Sequence, residues 1–434
     1  MAGNQSSGLR TSKHQLMNCQ PLVLSPRRCP MSRTRPVNCI IPPYILDKLL
    51  ESEDREVRQA ALDTLLTTAR LRGERAVRAS FAGAAATAGN GRRTIFDCEQ
   101  GVSLPNAVLV RPEDGPQCTD PALNQAFDGL GLTRDFYQEV FRRNSIDDRG
   151  MRLDGYVHFD VQFNNAFWDG RQMVFGDGDG KEFSNLTGSL DVIAHELTHG
   201  VTENTSEFEY HNQSGALNES MSDVFGSLVK QWSKKQTAED ADWLIGADVW
   251  TPGIAGDALR SMKAPGQAYN NPQFGKDPQP DRMSKFMPLP DTPRGDNGGV
   301  HYNSGIPNKA FFLAAVGIGG FAWEAAGNIW YESLKASSKD ATFQEFADTT
   351  FQKAGELFGT GSPEQSAVLA AWQGVEIHIS GVPAGLTRAR SLPVNGNGGV
   401  GRQDGMAALS RQIGELNAKV TGLAKEMAAL KGAK

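Results

Sequence analysis

The stretch Asp191–Asp223, DVIAHELTHGVTENTSEFEYHNQSGALNESMSD, carries His195, His199 and His211, three of the chain's seven histidines, among a run of carboxylates. An α-helix turns about 100° per residue, so His195 and His199, four apart, project within about 40° of each other. Two imidazoles on one helical face can share one metal ion. Glu196 follows His195 directly, so its carboxylate leans to the side, near such an ion rather than on it; this is the H-E-x-x-H arrangement. A catalytic zinc takes a third protein ligand and keeps a fourth position open for water. Glu219, within GALNESMSD, is the candidate third ligand. Asp223 lies four residues further on, on the same face of a second helix, where it can accept the spare N–H of a ligand histidine and fix its tautomer.

The stretch sits where the chain changes character. Upstream, from about residue 94, NAVLVRPEDG, GYVHFDVQFNNAFWDG and QMVFGDGDG are short apolar or alternating runs broken by Gly and Asp, the pattern of strands and turns. GDGDG (176–180) suggests a calcium loop, but an EF-hand needs a glutamate eleven places after Asp177, where Gly188 stands. The motif reads as a tight turn. Downstream, PNKAFFLAAVGIGG, AWEAAGNIWYESLKA and SPEQSAVLAAWQGVEI keep a helical period to about residue 380. The predicted fold is α+β and two-lobed. A β-rich lobe spans 94–200 and includes the start of the metal-binding helix, and a mainly helical lobe spans 201–383.

The ends differ from this centre. Residues 1–38 carry Arg10, Lys13, Arg27, Arg28, Arg33 and Arg35 and no acidic residue. LMNCQPLVL is too short and too interrupted for a signal peptide; the composition fits an organelle transit peptide, and a disordered arm better. Within CIIPPYILDKLLESEDREVRQAALDTLLTTARLRGER (39–75), Pro42 and Pro43 bar a helix across them. After them Leu46, Leu49, Leu50, Val57, Ala61, Leu65 and Leu66 fall largely at helical spacings, predicting one or two amphipathic helices. FAGAAATAGNGRR (81–93) reads as a linker open to proteolysis. Residues 384–405 form a second flexible linker by composition. In 406–434, Met406, Leu409, Ile413, Leu416, Val420, Leu423, Met427 and Leu430 recur in steps of three and four, with leucine at every d position. This favours a weak homodimer through 406–430 over a lone helix docked on the rest of the chain.

Composition sets outer bounds. A chain of 434 residues, 39% hydrophobic and 22% charged, is long enough for two or more domains with real cores. A net charge of -6 gives no ground for a nucleic-acid or membrane partner, and no apolar run is long enough to span a bilayer. The five cysteines, Cys19, Cys29, Cys39, Cys98 and Cys118, contain no C-x-x-C pair, which speaks against a zinc ribbon. A single bridge between Cys98 and Cys118 is left open.

Several blocks carry a family resemblance. NNAFWDGRQMVFGDGDG, HELTHG, GALNESMSDVFG, GDALRSM and DNGGVHYNSGIPNKAFF resemble the thermolysin-like metallopeptidases over about residues 94–381, and CIIPPYIL resembles the short propeptide of the protealysin-like branch. The resemblance implies a secreted or exported neutral zinc endopeptidase made as a proenzyme, without a classical signal peptide. His195, His199 and Glu219 then hold one zinc, and Glu196 is the general base toward a zinc-activated water. His301 and Tyr210 stabilise the oxyanion, with Asp296 orienting His301. Asn165 and Ala166 pair with a peptide backbone, and Arg260 binds a substrate carbonyl. Phe183, Leu186, Val192, Ile245, Val249 and Leu259 wall the pocket for the residue after the cut, which implies a bulky hydrophobic residue there. Expected partners are protein or peptide substrates and the chain's own propeptide. Large members bind a calcium pair near Asp191; Asp242 is kept, but Lys230, Leu244 and Ala247 replace carboxylates, so the double site is expected to be lost. WTPGIAGD (250–257) resembles another calcium loop, through Thr251, Ile254 and Asp257. The rival class is an inactive thermolysin-like scaffold, against which Glu196 is retained.

Overall fold

The computed structural model describes residues 38–81 and 91–382. The basic arm, most of the Gly/Ala linker, and the tail with its second linker and heptad seam lie outside the described residues. The described chain begins with a two-residue strand, β1 (Asn38–Cys39), and helix α1 (Pro43–Leu49) follows. Pro43 occupies the first turn of α1, where the missing N–H has no helical partner to lose. The long helix α2 (Arg55–Phe81) comes next. Ile40, Ile41, Ile45, Leu46, Leu49, Val57 and Ala61 are buried and belong to the main hydrophobic core.

The β-rich lobe contains β2 (Arg93–Asp97), β3 (Val108–Pro112), helix α3 (Pro121–Phe141), β4 (Leu153–Val157), β5 (Ala166–Trp168) and β6 (Met173–Phe175). With β1 they form one six-stranded sheet in the order β1-β5-β6-β4-β2-β3. The β2–β4 and β4–β6 pairs are parallel and the others antiparallel. The β5 edge, expected to receive a peptide backbone, is thus covered by the chain's own β1, with Cys39 opposite Phe167.

Strand and turn signals alone leave α3 out of this lobe. Asp120 caps it, accepting from Ala122 N at 2.7 Å, and Pro121 starts it. Gly129 and Gly131 weaken its intrinsic helix preference, yet packing requires the first of them. A Cβ at Gly129 would lie 2.4 Å from Ile193 Cδ1.

Helix α4 (Leu190–Glu203) is buried from Asp191 to Thr202, so it runs through the middle of the molecule. It packs on α5 (Asn212–Lys234), itself buried from Ser214 to Gln231. The pairs β7 (Leu244–Ile245) with β8 (Arg260–Ser261), and β9 (Asn270–Asn271) with β10 (Gly275–Lys276), follow. The helical lobe is completed by α6 (Asp296–Asn303), α7 (Gly305–Ile318), α8 (Ala325–Ala336), α9 (Phe343–Phe358) and α10 (Pro363–Gly374). Thr342 and Glu345 make a reciprocal capping box at the start of α9. The stacked indoles of Trp330 and Trp372, 6.2 Å apart, join α8 to α10.

Two readings can be set against this architecture. GDGDG is a turn: Asp179 Oδ1 accepts the backbone N–H of Lys181, Glu182 and Phe183, at 2.8–3.0 Å. The Cys98–Cys118 bridge left open by the sequence is not formed: both thiols are free. Cys98 is buried in a satellite core with Cys39, Phe159, Phe163, Phe167 and Val174. Cys118 instead lies in the turn just before α3, with Sγ 3.4 Å from Asn124 Oδ1.

Candidate metal centre and active site

Helix α4 brings His195 and His199 together with their Nε2 atoms 3.1 Å apart. Glu219, on α5, places carboxylate oxygens 3.4 Å from His195 Nε2 and 3.5 Å from His199 Nε2. All three residues are buried, and they form the one metal-capable cluster of His, Cys, Asp and Glu among the described residues. The donor set fits zinc: two imidazoles and a carboxylate, with both imidazoles turned inward by their other nitrogen. His195 Nδ1 lies 2.8 Å from Asp223 Oδ1, and His199 Nδ1 lies 2.8 Å from Asn218 Oδ1. Glu219 Oε2 is buried without a hydrogen-bond partner, the sign of an acceptor meant for something other than protein.

The electrostatics agree with a cation site. Burial lowers His199 to about 3, which keeps it a neutral ligand. Burial also acts against the charged form of His195, but Asp223 and Glu219 outweigh it and raise its pKa to about 9. A metal cation on Nε2 would take the place of that proton. For Glu219, burial alone would favour the neutral acid; His301, His199 and His195 override it and hold the pKa well below the carboxylate range.

Glu196 points the other way. Its Oε2 accepts the Trp168 backbone N–H at 3.1 Å, while Oε1 is buried and unpartnered. Burial is the main reason its pKa lies well above the ordinary carboxylate value, so this group takes up a proton readily. His301 is held from behind: Asp296 Oδ1 is 2.6 Å from Nδ1, and Asp296 Oδ2 accepts the His301 backbone N–H at 2.7 Å. That grip depends on a left-handed run at Asp296, Asn297, Gly298 and Gly299, with φ of 54°, 51°, 85° and 78°, which DNGG supplies. Burial disfavours the His301 cation, but Asp296 and Glu219 prevail and raise its pKa, which favours the form protonated on both ring nitrogens. Tyr210 Oη lies 3.3 Å from His301 Nε2 and donates to Glu219.

Arg260, on β8, is fully buried and forked onto Asp223, with Nε to Oδ2 at 2.9 Å and Nη2 to Oδ1 at 2.8 Å. One carboxylate therefore orients both His195 and Arg260. The remaining nitrogen, Nη1, donates to Ile40 O at 3.1 Å. Asn165 Oδ1 accepts from Ile41 N at 3.0 Å, and Ala166 O accepts from Ile40 N at 3.4 Å. His301 Nε2 lies 3.2 Å from Cys39 O. The N-terminal segment thus meets each backbone-binding group expected from the sequence. Phe183, Leu186, Val192, Ile245, Val249 and Leu259 are all fully buried, in the same continuous core as Ile40 and Ile41.

Other groups emerge only in three dimensions. Asn218, Ser222 and the Trp168 amide support the centre without any spacing signal of their own. Arg75, from α2, donates to Trp168 O at 3.0 Å and pairs with Glu203 at the end of α4. In the calcium region, Lys230 Nζ lies 2.8 Å from Asp191 Oδ2, 3.0 Å from Asp242 Oδ1 and 2.6 Å from Leu244 O. An ammonium thus fills the middle of that carboxylate pair. At WTPGIAGD, Ile254 N donates to Thr251 O within the turn, and Thr251 Oγ1 ties it to Lys181 O.

Two family models match the chain: the catalytic domain of thermolysin metallopeptidases over residues 117–203, and their alpha-helical domain over residues 206–377. An extracellular metalloprotease of Pectobacterium carotovorum subsp. carotovorum is 46% identical over 349 residues, 80% of this chain and 98% of that protein. Protease PrtS of a Photorhabdus species is 44% identical over 78% of this chain and 92% of its own length. The solved precursor of protealysin, a metalloproteinase from Serratia proteamaculans, superposes with a TM-score of 0.70 at 46% identity, covering 80% of this chain and 100% of that one.

Proposed function

The chain belongs to the thermolysin-like metallopeptidases, and from that premise we propose that it is a zinc endopeptidase cutting before bulky hydrophobic residues and made as a latent, exported precursor. The observation that carries this reading is the pair of orphaned oxygens, Glu219 Oε2 and Glu196 Oε1, buried beside two inward-turned imidazoles. His195, His199 and Glu219 would hold the ion, which when bound supplies Lewis-acid polarisation of a carbonyl and a lowered pKa for attacking water. Glu196 takes the proton of that water and returns it to the leaving amine. His301 and Tyr210 donate to the oxygen that gains charge, and Asp296 keeps the His301 ring aimed. Asn165, Ala166 and Arg260 align the substrate backbone, and the six apolar residues from Phe183 to Leu259 receive the side chain after the cut.

Latency follows from the same groups, because a segment that uses them keeps substrates out. In this reading residues 39–93 are the propeptide and its linker, 94–200 and 201–383 the two catalytic lobes, 384–405 a linker and 406–434 a weakly dimerising helix. Lys230 stands in for the calcium pair. Export is supported by the extracellular relative named above. Incubating the purified chain, freed of its propeptide, with quenched peptides bearing Leu or Asp after the scissile bond tests the reading. Hydrolysis of the Leu peptide only, abolished by a chelator and restored by zinc, is expected. Light scattering of the full chain against a version ending at Pro393 checks the tail.

A further inference from the structure

The N-terminal segment does more than block the cleft: its backbone lies there in the polarity and register of a peptide about to be cut. We propose that the protein hydrolyses its own Cys39–Ile40 bond, releasing residues 1–39 while the segment from Ile40 onward stays bound. The inference rests on the catalytic roles just assigned. It adds a processing site in front of the propeptide, distinct from any cut that would free the peptidase.

Every hydrogen bond of the segment fixes the same bond at the centre. On the side after the cut, Ile40 N donates to Ala166 O, Arg260 Nη1 to Ile40 O and Asn165 Oδ1 accepts from Ile41 N. At the bond itself, the Cys39 carbonyl oxygen lies 3.2 Å from His301 Nε2, which is 3.5 Å from the Glu219 carboxylate. On the opposite flank, Asn38 pairs with Trp168, the residue whose N–H holds Glu196 and leaves Oε1 bare. Slipping the segment by one residue would present the Ile40–Ile41 bond instead. That register would ask Pro42 for the N–H that Asn165 accepts, and proline has none. Pro42 therefore bars that slip, and Ile40 is the bulky apolar residue that the pocket is read to prefer.

The chemistry is ordinary amide hydrolysis. Water adds to the Cys39 carbonyl carbon as Glu196 takes its proton, and the carbonyl oxygen gains charge facing His301 and Tyr210. The C–N bond then breaks, its electron pair stays on the Ile40 nitrogen, and Glu196 delivers the proton there. Cys39 leaves as a carboxylic acid and Ile40 as an amine, and the acid's proton then passes to the amine. The cut does not open the cleft. Ile40, Ile41, Ile45, Leu46 and Leu49 remain buried, and α2 still ties them to the chain.

Intact-mass measurement and N-terminal sequencing of the zinc-loaded full chain test this. The expected product begins Ile-Ile-Pro, and its rate of formation is unchanged on dilution. Glu196→Gln and Ile40→Asp should both stay full-length. A separate reading needs no turnover: in metal-free Glu196→Gln, the Ile41 amide should resist hydrogen exchange, and Asn165→Ala should expose it. A chain that keeps its first 39 residues, or is cut at another bond, yet hydrolyses the quenched peptide once its propeptide is removed, overturns the inference and leaves the proposed function standing. A zinc-bearing chain that cuts neither itself nor the peptide overturns both.

Discussion

Glu196 has one carboxylate oxygen engaged by a backbone amide and the other bare, in a fully buried setting that favours its protonation. Replacing it by glutamine keeps the shape and the Trp168 contact but removes the proton acceptor. Glu196→Gln should bind zinc as the parent does and lose about 10²–10⁴-fold in turnover, the usual worth of a positioned base; metal analysis alongside peptide hydrolysis reads both. Asp223 is the residue on which most depends, since it orients His195 and neutralises Arg260, while Asn308 Nδ2 donates to its Oδ2. Asp223→Ala should lower zinc affinity by roughly 10–100-fold. It should also destabilise the fold by about 3–5 kcal/mol, because the Arg260 guanidinium is left buried and unpaired. Competitive zinc titration and denaturant melts separate the two effects, and an unchanged zinc affinity would remove Asp223 from the account of the metal centre.

At the scale of elements, the N-terminal segment is held both in the cleft and along α2. Residues 40–49 fill the cleft with five buried aliphatic side chains, each contributing roughly 1.5–3 kcal/mol. Helix α2 is fastened separately, by Arg75 on Trp168 O and Glu203, by Thr64 Oγ1 accepting from Asn164 N, by Thr67 Oγ1 donating to Asp160 and by Glu56 paired with Lys181. Arg75→Ala should weaken that second attachment by about 3–5 kcal/mol, the cost of opening a buried pair, and activity should appear faster once the linker is nicked. An unchanged activation rate would mean that the Thr64 and Thr67 hydrogen bonds and apolar contact hold α2 without Arg75. These elements also mark what the sequence makes legible. His195 with His199, and Glu219 with Asp223, declare themselves as pairs because the helix period relates each pair locally on α4 and on α5, and Pro42–Pro43 announce the break before α1. The strand β1 is two residues long and has no period to read, and Arg75 finds Glu203 across 128 positions. Helix α3 is obscured by Gly129, which tertiary contact with Ile193 requires and local propensity disfavours.

Across the described residues, two central buried helices carry the site, and a lysine ammonium stands between two carboxylates beside them. Lys230 is nearly buried between Asp191 and Asp242 and joins α5 to α4 and to the Leu244 carbonyl. Calcium, or its chelation, should therefore leave the melting temperature of the zinc-loaded chain unchanged. Lys230→Ala should cost about 3–5 kcal/mol by stranding Asp191. A calcium-dependent Tm in the parent chain would contradict the substitution of ammonium for calcium. The central claim, a zinc peptidase kept latent by residues that bind where substrate binds, is tested most directly by one comparison. Hydrolysis of a quenched peptide with Leu after the scissile bond is measured for the zinc-loaded full chain, and again after a protease nick between residues 76 and 93 and removal of the freed propeptide. Turnover should appear only after removal and vanish with a chelator; equal turnover in both states, or none from the zinc-bearing processed chain, would contradict the account.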